Sequence, residues 1–219
     1  VCYFTPLMTG GYRLYCKRDS SFWCCVGSGF ESHAKYQSSI YFHSNDTLYV
    51  NLFMPSEVNW NGTKVRQSTD FPNTNKTIVE ASSKINLKVR YPYWATYMRV
   101  NGRKVKAGSD GYVLLKNVRR CEIEMGMNLR EEPTKDDASR VALMYGPIVL
   151  AGRLDAVAHP FSDPKKYNDY YTFDYGKHPN IKLTELERLN NLQYRTADGI
   201  VVEPLYDLQR CRYVVYWEK

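Results

Sequence analysis

From Ile40 onward, hydrophobic residues of this 219-residue chain recur at every second position in short runs. This period of two constrains the fold more than any other feature, because it places apolar side chains on one face of a strand. The pattern is strict from Ile85 to Val89. Between Met98 and Val105 it is divided by Asn101-Gly102, the dipeptide that favours a type I′ hairpin. Runs of this length, broken by Asn, Gly, Ser and Pro, predict antiparallel β-sandwich structure.

Further elements are predicted by the same reasoning. Residues 141–151 (VALMYGPIVLA) form an apolar run split by Gly146-Pro147, which predicts two buried strands meeting at a bend. Residues 183–192 predict a short helix, because Thr184 and Glu187 have the spacing of a capping box. Residues 155–180, rich in Asp, Pro and Tyr, predict a long loop. Additional strands are predicted at residues 48–54, 112–115, 121–125 and 212–217.

Residues 1–38 differ from the rest of the chain. Pro6 and Gly10-Gly11 predict an irregular connection, and the apolar spacing of Phe30 and Ala34 predicts a short helix over residues 30–36. A loop and one helix cannot bury a core alone, so we expect this segment to pack against a partner that the sequence does not contain. The opening Val1, with no Met and no signal-peptide pattern, fits a processed chain or a piece of a longer protein.

Composition excludes several classes of function. The net charge is +7, but Lys and Arg are scattered, and the longest runs are Arg119-Arg120 and Lys165-Lys166. We therefore expect no nucleic-acid binding. No stretch approaches the ~20 apolar residues of a membrane span, so we expect no membrane partner. Nineteen tyrosines and four tryptophans suit sheet faces and also surfaces that stack on sugars.

Most of the six cysteines carry no functional signal. Their spacing matches neither a disulfide framework nor a zinc finger. Cys121 and Cys211 fall in strand-like runs, which predicts plain core residues. The glycosylation sequons at Asn45, Asn61 and Asn75 are interpreted as turns.

The adjacent pair Cys24-Cys25 is the exception. Neighbouring side chains point to opposite sides of an extended backbone, so both thiols rarely serve as core filler. Two buried free cysteines, a strained vicinal disulfide and metal ligation all remain open. Thiolates suit zinc, but two of them make only half of a tetrahedral site. The nearest further ligands in the sequence are Cys16, Glu31 and His33.

Other chemistry is not readable from spacing. A cysteine nucleophile needs a lowered thiol pKa and an acid for the leaving group. Neither His33 nor His43 is singled out as its partner. Residues 27–29 (GSG) lack the third glycine and preceding strand of a dinucleotide loop. A glycosidase would need paired carboxylates, and no pairing can be read for Glu31, Glu57 and Glu80.

Several stretches nevertheless resemble one family closely. The most specific is residues 21–35 (SFWCCVGSGFESHAK), and residues 4–11 (FTPLMTGG) precede it. With the later stretches, they resemble the bacterial β-L-arabinofuranosidases of glycoside hydrolase family 127 and its relative, family 146. The later stretches are residues 48–56 (LYVNLFMPS), 141–152 (VALMYGPIVLAG) and 212–217 (RYVVYW).

The resemblance implies an (α/α)6 barrel followed by two β-sandwich domains. Residues 1–38 would be a loop-helix remnant at the C-terminal end of the barrel. Residues 39–136 and 137–219 would be the first and second antiparallel sandwiches, making the chain mainly β. The boundary at residue 136 follows Pro133 and Lys135. The upstream barrel would be the missing partner.

The resemblance also implies the chemistry. In the family, zinc is held by a Glu-x-Cys pair and two adjacent cysteines, and the first adjacent cysteine is the nucleophile of retaining hydrolysis. By motif, Cys24 would be nucleophile and zinc ligand, and Cys25 a second ligand. No Glu-x-Cys occurs in residues 1–219, and the family's general acid lies upstream. We therefore expect zinc in full-length members, little or none in this chain, and no turnover by the chain alone.

Two non-catalytic alternatives remain. The sandwiches could be accessory modules that bind arabinose-containing glycans through exposed aromatics. They could also mediate homodimerisation through the last domain. A periplasmic or extracellular location is compatible with the full-length protein, and the sequence does not fix it. The aromatics concerned are Trp60, Tyr91, Tyr93 and Trp94, for which packing is the alternative.

Overall fold

A computed structural model of the chain describes residues 5–13, 15, 24–156 and 179–219. The described residues form one α-helix and two eight-stranded sheets, so the expected mainly-β class is confirmed. They divide into two compact units, residues 1–29 with 129–219 and residues 30–128. Among the described residues, no helix combines the length and hydrophobicity that a membrane crossing requires.

The helix, α1, runs from Cys24 to Ser38. It therefore begins six residues before the predicted start at Phe30. Its described side chains are almost all exposed, with Phe30 64% and Tyr36 50% accessible. The apolar spacing that predicted the helix thus lies on a surface that the described part of this chain does not cover.

The first sheet belongs to residues 30–128 and closes around one core. Its strands are β1 (Tyr41–Ser44), β2 (Thr47–Val50), β3 (Ser56–Trp60), β4 (Thr63–Thr69), β5 (Lys76–Arg90), β6 (Met98–Val100), β7 (Arg103–Lys104) and β8 (Tyr112–Met125). Their order is β1-β2-β5-β8-β6-β7, and β4 pairs with β5 and β3.

Two long strands organise this sheet. The first half of β5 pairs with β4 and its second half pairs with β2, while β8 follows both halves. The β2–β5 pair is parallel, which corrects the purely antiparallel prediction. One cluster of buried residues contains side chains from both halves, such as Val79 and Leu87. The sheet therefore bends over a single core.

The predicted strands at residues 112–115 and 121–125 are one strand, β8. Residues 116–120 continue the strand through a register shift opposite residues 80–87 of β5. Asn117 adopts a positive φ of 58°, and its N–H donates to Asn86 Oδ1 at 3.2 Å.

Turn predictions from Asn are confirmed. Asn101 and Gly102 have φ values of 50° and 77°, as a type I′ turn requires. The side chain of Asn101 accepts a hydrogen bond from the N–H of Glu122 at 2.8 Å. Two of the sequon residues, Asn45 and Asn61, also adopt positive φ in hairpin turns.

The second sheet lies in the other unit. Its strands are β9 (Leu129–Pro133), β10 (Arg140–Tyr145), β11 (Ile148–Ala156), β12 (Glu187–Arg188), β13 (Tyr194–Arg195), β14 (Val201–Pro204), β15 (Cys211–Val214) and β16 (Tyr216–Glu218). Their order is β12-β13-β14-β11-β10-β16, with β15 on β11 and β9 on β10. Residues 157–178 of the predicted loop lie outside the described residues.

The structure confirms one expectation for this sheet and differs from two others. The bend at Gly146-Pro147 does join two strands, β10 and β11. The change of sheet falls before Leu129 rather than near residue 136, because β9 pairs with β10. Residues 135–137 lie in the connection between those strands. The predicted final strand at residues 212–217 is divided between β15 and β16.

The predicted helix at residues 183–192 is wrong. Only a 3₁₀ turn, Leu183–Glu185, forms, and its N-cap is Lys182 without a side-chain cap. Glu187 pairs instead with Arg195 across β12 and β13. Leu183 and Leu186 pack against the core of this sheet. Strand pairing and burial therefore override the local capping signal.

Gly152 is required where β11 crosses Trp217. A Cβ at Gly152 would lie 2.6 Å from Cη2 of Trp217 and 2.8 Å from Cγ1 of Val214. Both neighbours are fully buried and cannot move aside. Only a residue without a side chain permits this approach.

We predict that Gly152→Ala destabilises the second sheet by about 1–3 kcal/mol through overpacking. The measurement is the midpoint of guanidinium unfolding, followed by tryptophan fluorescence. Gly27→Ala is the matched control, because a Cβ there meets nothing within 4 Å. Equal midpoints for Gly152→Ala and the unmodified chain would contradict the close approach.

Candidate functional site

The residues that lead towards Cys24-Cys25 are joined to strand β15. The N–H of Gly10 donates to the carbonyl of Tyr213 at 2.9 Å, and the N–H of Tyr213 donates to the carbonyl of Gly11 at 3.1 Å. The hydroxyl of Tyr213 donates to the carbonyl of Pro6 at 2.7 Å in a buried bond. Residues 6–11 therefore behave as an extra edge on the second sheet.

Gly10 and Gly11 make this attachment possible. Gly10 has a φ of 78°, a conformation that favours glycine. A Cβ on Gly11 would lie 2.9 Å from Cβ of Pro6. Gly10-Gly11, which predicted an irregular connection, is therefore needed because side chains at these positions would strain the backbone or collide with Pro6.

Two arginines, one from each segment, add contacts between residues 6–13 and the second sheet. Arg13 donates from Nη1 to the carbonyl of Leu208 at 3.1 Å and from Nη2 to that of Leu205 at 2.7 Å. Its guanidinium carbon lies 5.8 Å from the centre of the Tyr213 ring. Cation–π contact and a forked hydrogen bond therefore act on the same side chain.

The second arginine lies in β15, and its partners lie in the N-terminal segment. Arg212 belongs to β15 and donates from Nη1 to the carbonyl of Gly10 at 2.8 Å. Its guanidinium lies 4.8 Å from the centre of the Tyr12 ring. Beyond this junction, the hydroxyl of Tyr15 donates to the side chain of Gln209. Each segment thus contributes an arginine and at least one tyrosine to the contact.

Cys24 and Cys25 are the first two residues of α1. The pair therefore occupies helical backbone, where successive residues are ~100° apart, and not the extended backbone assumed from sequence. The side chains of residues 24–26 lie outside the described part of the structure.

The helix separates two of the predicted ligands from the cysteine pair. Glu31 and His33 lie seven and nine positions after Cys24 on α1. At ~1.5 Å per residue they are about 10 and 13 Å further along the axis. Glu31 is therefore about two helical turns from Cys24, and His33 is further. The ring of His33 packs edge-on against Tyr36 at 5.9 Å, and Cys16 lies outside the described residues.

The carboxylates outside α1 form surface ion pairs. Glu57 and Glu80 flank Arg66 in register across β3, β4 and β5. Glu57 also pairs with Lys64 at 2.8 Å, and Glu80 pairs with Arg120 at 3.3 Å. All four of these paired side chains are about half exposed, as is usual for a charge ladder on a sheet. The ladder shows no acid–base pair for glycoside hydrolysis.

The remaining described cysteines are structural, as predicted. Cys121 and Cys211 are free and buried. Burial raises the pKa of the Cys121 thiol to about 11 and also raises the pKa of Cys211. Within the described ranges, no group of three or more His, Cys, Asp or Glu side chains could hold a metal ion.

The four aromatic residues proposed for glycan binding differ in their exposure. Trp60, Tyr91 and Trp94 are partly buried and pack against the first core, as the packing alternative predicted. Trp94 stacks on Phe71 at 5.9 Å with an interplanar angle of 22°. Tyr93 is 79% exposed and alone among the four remains available to a ligand.

Sequence reasoning missed Arg13, Arg212 and Tyr213 as the residues that join the N-terminal segment to β15. Arg13 lies about two hundred positions from Arg212 and Tyr213 along the chain, and no local pattern reveals their contact. The only available signal was Gly10-Gly11, which indicated a close backbone approach without naming the partner.

Comparison with known proteins gives two family matches. Residues 1–38 match the catalytic domain of the GH127 β-L-arabinofuranosidases, and residues 47–129 match their middle domain. No curated protein matches the chain.

Three solved structures share the fold. Ara127N-Se, a GH127 β-L-arabinofuranosidase from Geobacillus stearothermophilus T6, has a TM-score of 0.56 at 19% identity over 89% of this chain and 37% of its own. The GH127 β-arabinofuranosidase BT3674 has a TM-score of 0.62 at 18% identity over 98% and 41%. A chain described as a glycoside hydrolase has a TM-score of 0.64 at 18% identity over 99% and 44%.

The chain therefore spans less than half the length of each of these structures. At such identities the structures establish a common fold alone, while the two family matches carry the relationship in sequence. With its catalytic-domain match in residues 1–38 and its middle-domain match in residues 47–129, the chain resembles the C-terminal portion of the GH127 β-L-arabinofuranosidase family.

Proposed function

We propose that this chain is the C-terminal part of a retaining glycoside hydrolase of the β-L-arabinofuranosidase type, with Cys24 as its nucleophile. The observation that carries the proposal is that the adjacent pair Cys24-Cys25 lies inside the catalytic-domain match. The substrate class is an arabinose-containing glycan.

The donor chemistry of the pair fits zinc. Cys24 and Cys25 would supply two thiolates, the softest ligands available to a protein. Bound zinc would favour the thiolate form at neutral pH and orient it. By family resemblance, the other two ligands would come from a Glu-x-Cys pair, which does not occur in residues 1–219.

The reaction follows from the roles of these residues. Sγ of Cys24 attacks the anomeric carbon, and the bond to the leaving oxygen breaks as a general acid protonates that oxygen. Water then attacks the same carbon, and the sugar leaves with retained configuration while the thiolate is restored. By family resemblance, the acid and a Glu-x-Cys pair belong to the barrel upstream of this chain. We therefore propose that the isolated chain is inactive.

We predict that Cys24→Ser in the complete gene product lowers kcat on p-nitrophenyl β-L-arabinofuranoside by at least about 10³-fold. The oxygen nucleophile is weaker and binds zinc less well. Cys25→Ser should lose most of the bound zinc, measured by elemental analysis of the purified protein. Ser38→Ala, at the opposite end of the same helix, is the control.

The isolated 219-residue chain provides the complementary measurement. It should show no turnover and less than one zinc per chain. Cys24→Ser with normal kcat would contradict the nucleophile assignment. Tight stoichiometric zinc in the isolated chain would show that it contains a complete ligand set.

A second function, glycan binding by the first sheet, is favoured by the exposure of Tyr93. This ring is 79% accessible and follows Pro92 in the loop that also carries the stacked Trp94. Exposed aromatic rings can stack on the apolar faces of sugars.

We predict that arabino-oligosaccharides change the tryptophan fluorescence of the chain and that Tyr93→Ala abolishes the change. Trp94 is close enough in sequence to report on the loop. Tyr206→Ala, at an exposed tyrosine of the other unit, is the matched control. An unmodified chain that gives no response to the sugar would leave Tyr93 without a glycan-binding role.

A further inference from the structure

The unit that contains the second sheet carries a cavity to which neither family match assigns a role, because neither match extends beyond residue 129. The cavity has a volume of about 250 Å³. Two short segments line it, one within residues 180–186 and one of residues 196–198. Both segments belong to the same compact unit. We call this space the 180–198 cavity.

The first lining segment is fixed to the second sheet. The N–H of Ile181 donates to the carbonyl of Glu218 in β16 at 2.9 Å, and the Ile181 side chain is buried in the core of the sheet. The N–H of Glu185 donates to the carbonyl of Lys182 at 3.0 Å, and Leu186 packs against the same core. The backbone on this side of the cavity is therefore set before a ligand arrives.

The second lining segment belongs to a tight turn. The N–H of Thr196 donates to the carbonyl of Ile200 at 3.0 Å, and Thr196 Oγ1 accepts a hydrogen bond from the N–H of Ile200 at 3.0 Å. The carbonyl of Thr196 also accepts from the N–H of Gly199 at 2.9 Å. Both walls are thus prearranged, which favours affinity because little conformational freedom is lost on binding.

The lining combines apolar contact with groups that donate and accept hydrogen bonds. The apolar part comes from Ile181, Leu186 and Ala197. The polar part comprises an amide, an ammonium, a hydroxyl and two carboxylates, which belong to Asn180, Lys182, Thr196, Glu185 and Asp198.

Two of the polar groups are available to a ligand. The side chains of Asn180 and Asp198 are exposed, and among the contacts described neither has a hydrogen-bond partner. The amide of Asn180 donates and accepts, whereas the carboxylate of Asp198 only accepts. Hydroxyl groups of a ligand can satisfy both, because a hydroxyl donates one hydrogen bond and accepts others.

Charge disfavours an ionic ligand. The ammonium of Lys182 is already paired with Glu185 at 2.9 Å. Asp198 then leaves the lining with a net negative charge, which repels an anion. The part of the chain that the structure describes contains no group of three or more His, Cys, Asp or Glu side chains suited to a metal ion. A neutral ligand is the class that fits.

Size limits this ligand to about one ring. Pockets for drug-sized ligands measure ~300–1,000 Å³ and are lined mainly by apolar side chains. The 180–198 cavity is smaller, at about 250 Å³, and five of its eight lining residues are polar. A single sugar ring presents hydroxyls at its rim and C–H groups on its faces, so it matches both parts of the lining.

We propose that the 180–198 cavity is a binding site for one neutral sugar residue, which hydrogen-bonds to Asn180 and Asp198 and packs on Ile181, Leu186 and Ala197. That the sugar belongs to an arabinose-containing glycan rests on the function proposed above. The preference for a neutral, hydroxylated ring does not, because it follows from the lining alone. A second point of attachment raises the apparent affinity for a polymer without new contacts at the bond that is cleaved.

The test is an NMR titration of the 219-residue chain carrying Tyr93→Ala, which removes the other candidate glycan contact. Backbone amide chemical shifts are followed while L-arabinose or D-glucose is added. Galacturonic acid and CaCl2 are added in separate titrations, as an anionic sugar and a divalent cation.

Three substitutions are made in this chain. Asn180→Ala and Asp198→Ala each remove one hydrogen-bonding group at an exposed position, and Ala197→Phe places a ring in the lining. Asp207→Ala and Ala138→Phe are matched controls, because both are exposed positions of the same unit outside the lining.

We expect L-arabinose to shift the amides of residues 180–186 and 196–199 over one common concentration range. Asn180→Ala and Asp198→Ala should each weaken the affinity about two- to tenfold, the usual effect of one lost hydrogen bond. Ala197→Phe should abolish the shifts, and the control variants should leave the affinity unchanged. Galacturonic acid and CaCl2 should shift these amides less than L-arabinose does at equal concentration.

Absence of shifts in both lining segments with either neutral sugar would overturn the proposal, and so would unchanged affinity in all three variants. Larger shifts with galacturonic acid or CaCl2 would overturn the assignment to a neutral ligand. The amide spectrum of each variant shows whether it is folded, and the two exposed alanine variants keep the test decisive if Ala197→Phe is not.

The outcome is separable from that of the proposed function. If the complete gene product lacks turnover while the cavity binds sugar, the proposed function fails and the site stands. Turnover by the complete gene product without binding at the cavity would give the opposite result. Binding of D-glucose but not L-arabinose would retain the neutral-sugar site and remove its assignment to arabinose-containing glycans.

Discussion

The paired backbone bonds between Gly10-Gly11 and Tyr213 are the constraint on which the arrangement of the second unit depends. They join positions separated by about two hundred residues, so forming them closes most of the chain into a loop. The entropy cost of closure grows only with the logarithm of loop length, but it still has to be met locally. A buried tyrosine hydroxyl, the fork of Arg13 and one hydrogen bond from Arg212 act together at the junction against this cost.

Parts of the fold could be predicted from sequence where a single residue fixes the backbone. Asn101-Gly102 and Gly146-Pro147 are examples. Asn101, Gly102 and Gly146 have positive φ, which Asn and Gly adopt more readily than other residues, and proline fixes its own φ. The helix expected at residues 183–192 failed for the opposite reason. Its capping residues were suitable, but Leu186 found an apolar core and Glu187 a cross-strand partner that no local pattern reveals. The parallel register of β2 on β5 is similarly nonlocal.

The candidate site shows the same division. An adjacent cysteine pair was recognisable from sequence, because two neighbouring thiols are hard to explain as core. The residues that could join them were not, since the answer depended on where α1 begins. Had the helix started at Phe30, the preceding loop could have folded back towards His33. Because α1 extends back to Cys24, His33 lies about 13 Å from Cys24 along the helix axis instead.

The second sheet also supports the irregular segment that precedes α1. Residues 10–11 are held by strand β15 through their backbone bonds to Tyr213. Gly152 of β11 pairs with Val214, the residue that follows Tyr213 in β15. A side chain at Gly152 would press on Val214, so the packing of β11 and the attachment of residues 10–11 are expected to depend on one another.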